Sequence, residues 1–229
     1  RAVHHARHRS AFGARLSDQP LMKAVLADLA VESEAATTLA MRLAAAVDDG
    51  DTAFGRLAVT LGKYWVCKRT APVVAEAMEC LGGNGYIEEN GLARLYREAP
   101  VNSIWEGSGN VNALDVLRAL DREPDAIDAV RAELDLAVGA DRRLDAAIGS
   151  LVGELRVGQV HDDAERQASA RGLVERLATV LQASLLVRFA PMSVADAYVA
   201  TRGEHEGGFT FGTLPGGLDV DAILERTLP

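Results

Sequence analysis

PVNSIWEGSGNVNALDVLRAL, Pro100 to Leu120, decides how the chain is read. Pro100 and Asn102 break whatever precedes them. An apolar pair, Ile104 and Trp105, leads to a single carboxylate, Glu106, and then to the flexible run Gly107-Ser108-Gly109-Asn110. Val111, Leu114, Val116, Leu117 and Leu120 follow at helical spacing, so a helix should open near Ser108, a favourable N-cap residue. Glu106 then sits at a loop-to-helix junction beside an indole. Desolvation by the aromatic ring would raise its pKa and the helix N-terminus would lower it. A carboxylate between those two influences suits a general base; the plainer reading is a solvated loop residue whose glycines only turn the chain.

Working outward, helices are expected almost everywhere. Residues 1 to about 12 read as the end of a helix stopped at Gly13. His4 and His8 lie four apart, but with no carboxylate or Cys beside them they read as surface imidazoles, not metal ligands. Ser17-Asp18-Gln19-Pro20 is a start signal, a capping Ser or Asp followed by Pro in the first turn. A long helix should run from there to about Val47. Its apolar stripe is Met22, Val25, Leu26, Leu29, Ala36, Leu39, Leu43 and Val47, with Asp28, Glu32 and Glu34 mostly off it. A second long helix is expected over 52–81, kinked or broken near Ala71 by Pro72 and stopped by Gly82-Gly83-Asn84-Gly85. A short helix should occupy 92–98. Beyond Pro124 the spacing predicts helices at about 124–138, 141–157, 162–190, 193–202 and 219–227, the last capped by Asp219, with a glycine-rich turn region over 203–217. Strand signals are essentially absent. The expected class is all-α: an up-down bundle over 1–122 and a further helical subdomain over 123–229.

Composition narrows the function. The 229 residues are 48% hydrophobic but only 5% aromatic, so the core must be Ala, Leu and Val, which suits close helix packing. The formal net charge is −9, which argues against general affinity for nucleic acid. The first sixteen residues run the other way, with Arg1, Arg7, Arg9 and Arg15, three histidines and no acid. Two cysteines, Cys67 and Cys80, suit free thiols in a reducing compartment, and no apolar run is long enough to span a membrane; a cytoplasmic protein is expected. The chain opens at Arg1 inside an apparent helix, which reads as a piece of a longer protein. No phosphate-binding loop, nucleophile elbow, zinc motif or dinucleotide fingerprint is present; the glycines at 82–85 end a helix and follow no strand.

Three ordered segments then carry a resemblance: HARHRSAFG (His5–Gly13), EAMECLGGNGYIEE (Glu76–Glu89) and SIWEGSGN (Ser103–Asn110). Together they are similar to the C-terminal helical domain of the acyl-CoA dehydrogenase flavoenzymes. REAPVNSIWEGSGN and AMECLGGNGY look most like the family's AidB-like alkylation-response branch. The resemblance implies FAD as cofactor and an acyl-CoA thioester as substrate, with Glu106 as the base that removes the α-proton while hydride leaves the β-carbon. It implies that Arg9 contacts the FAD pyrophosphate and that Phe12 packs on the cofactor. Gly82, Gly83 and Gly85 would let backbone approach the FAD of a neighbouring subunit. Ser108 would touch the flavin beside the base, with Asn110 in the same turn. A homodimer or homotetramer is implied. Two departures stand out: Glu79 replaces a usual Gln at the cofactor, and Pro20 replaces a second Gln, with Gln19 one residue early. The rival implied by the same branch is a flavin-containing protein that binds double-stranded DNA through its helical tail. Charge disfavours it, since residues 124–229 carry 10 Arg, no Lys and 17 acidic residues. A local face of Arg142, Arg143, Arg156, Arg166 and Arg171 is the alternative that would restore it.

Overall fold

The computed structural model describes residues 1–157, 162–203 and 208–227 and is helical almost throughout. α1 (Ala2–His8) leads into a two-residue ribbon, β1 (Ser10–Ala11) and β2 (Ala14–Arg15). The two long helices follow, α2 (Pro20–Asp48) and α3 (Thr52–Glu79). Next come α4 (Gly83–Tyr86), α5 (Leu92–Glu98) and α6 (Gly109–Arg122). The tail adds α7 (Pro124–Asp135), α8 (Arg142–Val157), α9 (Asp163–Phe189), α10 (Met192–Tyr198) and α11 (Val220–Glu225).

Most expected helices are found within a few residues, and the differences have local causes. α1 stops at His8 because Arg9 is extended (φ −102°, ψ 128°) and its carbonyl accepts from Leu16 N at 2.9 Å. The ribbon pairs Ser10 with Arg15 and Ala11 with Ala14 around Phe12 and Gly13, whose φ values are +53° and +84°. Two positive φ values in a two-residue loop match the twist of a tight hairpin, but Phe-Gly is not a usual signal for one. α2 is capped by Gln19, not by Ser17 or Asp18, which lie in a 3-10 turn. Gln19 Nε2 donates to Ala11 O at 3.2 Å, tying the ribbon to α2. α3 runs without a break through Pro72. Asp51 caps α3 by accepting from Phe54 N, and Asp219 caps α11 by accepting from Ala222 N. The expected helix over 193–202 is α10 followed by a wide π turn, Val199–Gly203. Part of the glycine-rich 203–217 stretch, residues 204–207, lies outside the described residues.

α3 is packed against α2, α6, α7 and α9. Leu26 and Leu39 of α2, Phe54, Leu57 and Leu61 of α3, and Val116 of α6 are fully buried there. α9 is buried on every face from Leu177 to Leu186, as an interior helix must be. Its polar residues are satisfied: Gln182 Oε1 accepts from the Tyr198 hydroxyl at 2.6 Å, and the Thr179 hydroxyl donates to Glu175 O.

Asp28 and Glu32, expected off the apolar stripe of α2, are buried, whereas Val47, expected on it, is 74% exposed. Arg69 of α3 holds Glu32 through two bonds of 3.0 and 3.1 Å. Arg202 from the π turn reaches both Glu32 (2.9 Å) and Asp28 (2.6 Å), and Gly212 N donates to Asp28 Oδ2 at 2.8 Å. Burial pushes the Glu32 carboxyl up, but the two arginines outweigh it and hold it below the usual range. Gly212 takes φ +82°, and a Cβ there would stand 2.6 Å from Val25 Cγ2, so the tail can lie against α2 only with glycine at this position. A paired buried charge explains the misplacement of α2: carboxylates enter a core when guanidinium groups meet them there.

Candidate functional site

Glu106 sits where the sequence places it, between the 3-10 turn Ala99–Ser103 and α6, whose N-cap is Ser108. Its backbone is left-handed, φ +54°, and Gly107 follows at φ +105°. A side chain beyond Cβ rarely adopts that region, and strain of this kind persists only where surrounding contacts impose it. Asn112, buried on the first turn of α6, imposes it here: Nδ2 donates to Gly107 O at 2.9 Å, and Oδ1 lies 2.9 Å from where a Gly107 Cβ would be. Gly109 is pressed against Lys68 and Tyr64 of α3, and a Cβ there would stand 2.7 Å from Lys68 Cε, so the lysine would have to shift. The Ser108 side chain makes no cap bond. Glu106 is exposed and Trp105 is 57% exposed, so within this chain the indole shields the carboxylate little.

A second cluster forms where α1 meets the end of α3. His5, Arg9, Leu16, Cys80, Leu81, Gly82, Gly83 and Asn84 line a polar groove of about 290 Å3. The Arg9 guanidinium has no partner among the described residues, and burial together with Arg9 and His4 lowers the His5 pKa. Burial, then Glu76 and Glu79, push the Cys80 thiol up to about 12, so it is no nucleophile. Gly82 takes φ +57°, ψ −142°, a conformation close to one that only glycine occupies readily, and Gly83 faces open space. Gly85 is different in kind: a Cβ there would meet Met78 O at 2.0 Å. Phe12, at the ribbon tip, is 96% exposed.

A model of the acyl-CoA dehydrogenase C-terminal domain matches residues 1–120, more than half the chain and all of the segments just described. The chain belongs to the acyl-CoA dehydrogenase family. It is 46% identical over 159 residues to AidB of Escherichia coli (strain K12), covering 68% of this chain and 29% of that protein. Among solved structures it is similar to Caenorhabditis elegans ACDH-11, determined in complex with C11-CoA, with a TM-score of 0.73, 26% identity, and coverage of 89% of this chain and 39% of that one. An acyl-CoA dehydrogenase from Bacillus anthracis complexed with FAD gives a TM-score of 0.69 at 16% identity over 89% of this chain and 42% of that one, which shows the fold alone. The chain thus spans less than a third of AidB and about two fifths of the two solved chains.

Within this family member the expected site residues fall into two groups. Arg9, Gly82 and Gly83 meet in the groove, while Glu106, Ser108 and Asn110 flank Gly109, which lies against Lys68, eleven residues earlier along α3 than Glu79. At 1.5 Å per residue the two groups are roughly 16 Å apart. Glu79 is exposed at the end of α3 and does not line the groove. Asn110 Oδ1 accepts from Arg171 Nε of α9 at 2.8 Å, which links the tail to the junction. Of the other tail arginines expected on a cationic face, Arg143 is bound to Asp141 and Asp196 and Arg166 pairs with Asp121, while Arg142 is exposed and the Arg156 side chain lies outside the described residues. Sequence reasoning missed Asn112 and Lys68. Asn112 was detectable as the one amide inside the apolar face of α6; Lys68 carried no signal, since its role depends on how α3 crosses α6.

Proposed function

We propose that this chain is the C-terminal portion of an FAD-dependent acyl-CoA dehydrogenase-like oxidoreductase, with Glu106 as the base in α,β-dehydrogenation of an acyl-CoA thioester. The observation that carries this reading is backbone strain. Among the described residues only two non-glycine positions have positive φ, Phe12 and Glu106, and the resemblance assigns both to the cofactor and its chemistry. Local strain of that kind is concentrated at functional sites.

The groove suits the phosphates of a dinucleotide. Arg9 offers an uncommitted guanidinium, and the open faces of Gly82 and Gly83 admit close backbone approach. Phe12 would lie against the cofactor, and the Ser108 hydroxyl would meet its flavin end. When bound, FAD supplies the hydride acceptor. Glu106 takes the α-proton, which requires its carboxylate to lie within hydrogen-bond reach of the substrate carbon's proton. The exposure of Glu106 and Trp105 fits a site whose remaining walls come from parts of the protein beyond this chain. The separation of the two groups supports an oligomer in which Glu106 serves one copy's flavin while Arg9 and the glycine corner reach a neighbour's. The C11-CoA bound to ACDH-11 supports the same substrate class.

The test is flavin retention in the intact protein. Arg9→Glu is expected to weaken FAD binding by at least roughly tenfold, since an anion-contacting charge is reversed, while Glu106→Gln keeps the flavin. Unchanged flavin content in Arg9→Glu contradicts the assignment of the groove.

A further inference from the structure

A further cavity in the described chain lies in neither group. It is about 390 Å3 in volume, between α6, α7, α8 and α9. Its inner wall is aliphatic, built from Leu57, Leu117, Ile148, Leu151, Leu173 and Leu177, and no aromatic ring lines it among the described residues. Leu120 of α6 also faces it, about 16 Å along that helix from Gly109. It is therefore separate from the Glu106 junction. The volume is at the small end of ligand pockets, which span roughly 300–1,000 Å3, and is too small for a partner helix about 10 Å across. Without a flat aromatic wall it offers nothing for a ring system to stack on, whereas a flexible alkyl chain matches its surface.

The rim carries the polarity. Arg166 is engaged by Asp121, and Glu154 by Arg176. That leaves Asp128 and Arg131, one turn apart on α7, both exposed on the cavity lining and both without a partner among the described residues. Among the described lining residues, Arg131 is thus the uncommitted cation at the mouth, with Asp128 the opposing charge.

We propose that this cavity is a binding site for an unbranched aliphatic carboxylate of medium chain length, its tail among the leucines and its carboxylate on Arg131. The proposal does not rest on the flavin reading, because the two sites share no residue. Asp128 limits the affinity by repelling the same headgroup, which gives the test a signed outcome.

Dodecanoate is titrated calorimetrically into the intact, flavin-loaded protein. Saturable binding is expected, at one site per chain, unchanged by saturating acyl-CoA. Leu173→Trp and Val152→Phe, which fill the cavity, should each weaken it at least tenfold. Arg131→Gln should weaken it about tenfold, and Asp128→Asn should tighten it several-fold. The two rim residues are exposed, so they keep the test decisive if a filling variant does not fold. The proposal is overturned by the absence of saturable binding, by competition with acyl-CoA, by wild-type affinity in a folded cavity-filling variant, or by rim variants that shift affinity in the same direction.

Discussion

Glu106 is held in a conformation its side chain disfavours, φ +54°, by contacts made on its neighbours: Asn112 on Gly107, and Lys68 and Tyr64 on Gly109. Residues confined to the left-handed region cost on the order of 1–3 kcal/mol, and glycine escapes most of it. Glu106→Gly is therefore expected to be about 1 kcal/mol more stable than Glu106→Ala by thermal or urea denaturation, the reverse of the order in a helix interior. Equal stabilities would show that the turn stores no strain. The place of Glu106 at the mouth of a helix was legible from WEGSGN beside a helical pattern; its strained backbone was not, because no local residue preference requires it. The same holds for Phe12, placed by resemblance but turned outward by a hairpin whose two central residues are not the usual Asn-Gly.

At the scale of elements, stop signals were read more reliably than their geometry. Gly82-Gly83-Asn84-Gly85 ends α3 as expected, yet each glycine does a different job. Gly82 supplies the positive φ and Gly83 leaves an open face, while Gly85 lets the chain pass against the Met78 carbonyl. Gly85→Ala should destabilise the protein by roughly 1–3 kcal/mol, as overpacking does, and Gly83→Ala by a few tenths at most; urea melts compare them, and similar losses would contradict the distinction. Helices were found because Leu, Ala and Val recur at threes and fours, a pattern that survives any packing arrangement. The buried faces were harder. Nothing within α2 marks Asp28 and Glu32 as interior, because the arginines that neutralise them lie on α3 and in the tail.

For the whole molecule, those charges fasten the tail to the bundle. Glu32 is held by Arg69 and Arg202, and buried Glu133 of α7 by Arg42 of α2 and Arg188 of α9. Burial pushes both carboxyls up, but the arginines prevail and hold both below their ordinary value of 4.5. A carboxyl lowered on folding contributes stability that is complete above its unfolded pKa and is lost as pH falls through the folded one. Urea midpoints should accordingly be insensitive to these groups above about pH 5 and fall steadily below pH 4.5. Arg202→Met should cost on the order of 3 kcal/mol at neutral pH by leaving Asp28 and Glu32 short of a counter-charge; a loss under 1 kcal/mol would mean the network does not anchor the tail. All of this frames a single functional claim, that the Glu106 carboxylate removes a proton beside a flavin. It is tested most directly by mixing the intact, FAD-loaded protein anaerobically with a panel of acyl-CoA thioesters, short branched ones included, and following visible absorbance. Bleaching by at least one thioester in the wild type, and its loss in a Glu106→Gln variant that still holds its flavin, is the predicted result; bleaching at the wild-type rate in that variant, or a wild type that stays yellow with every thioester, contradicts it.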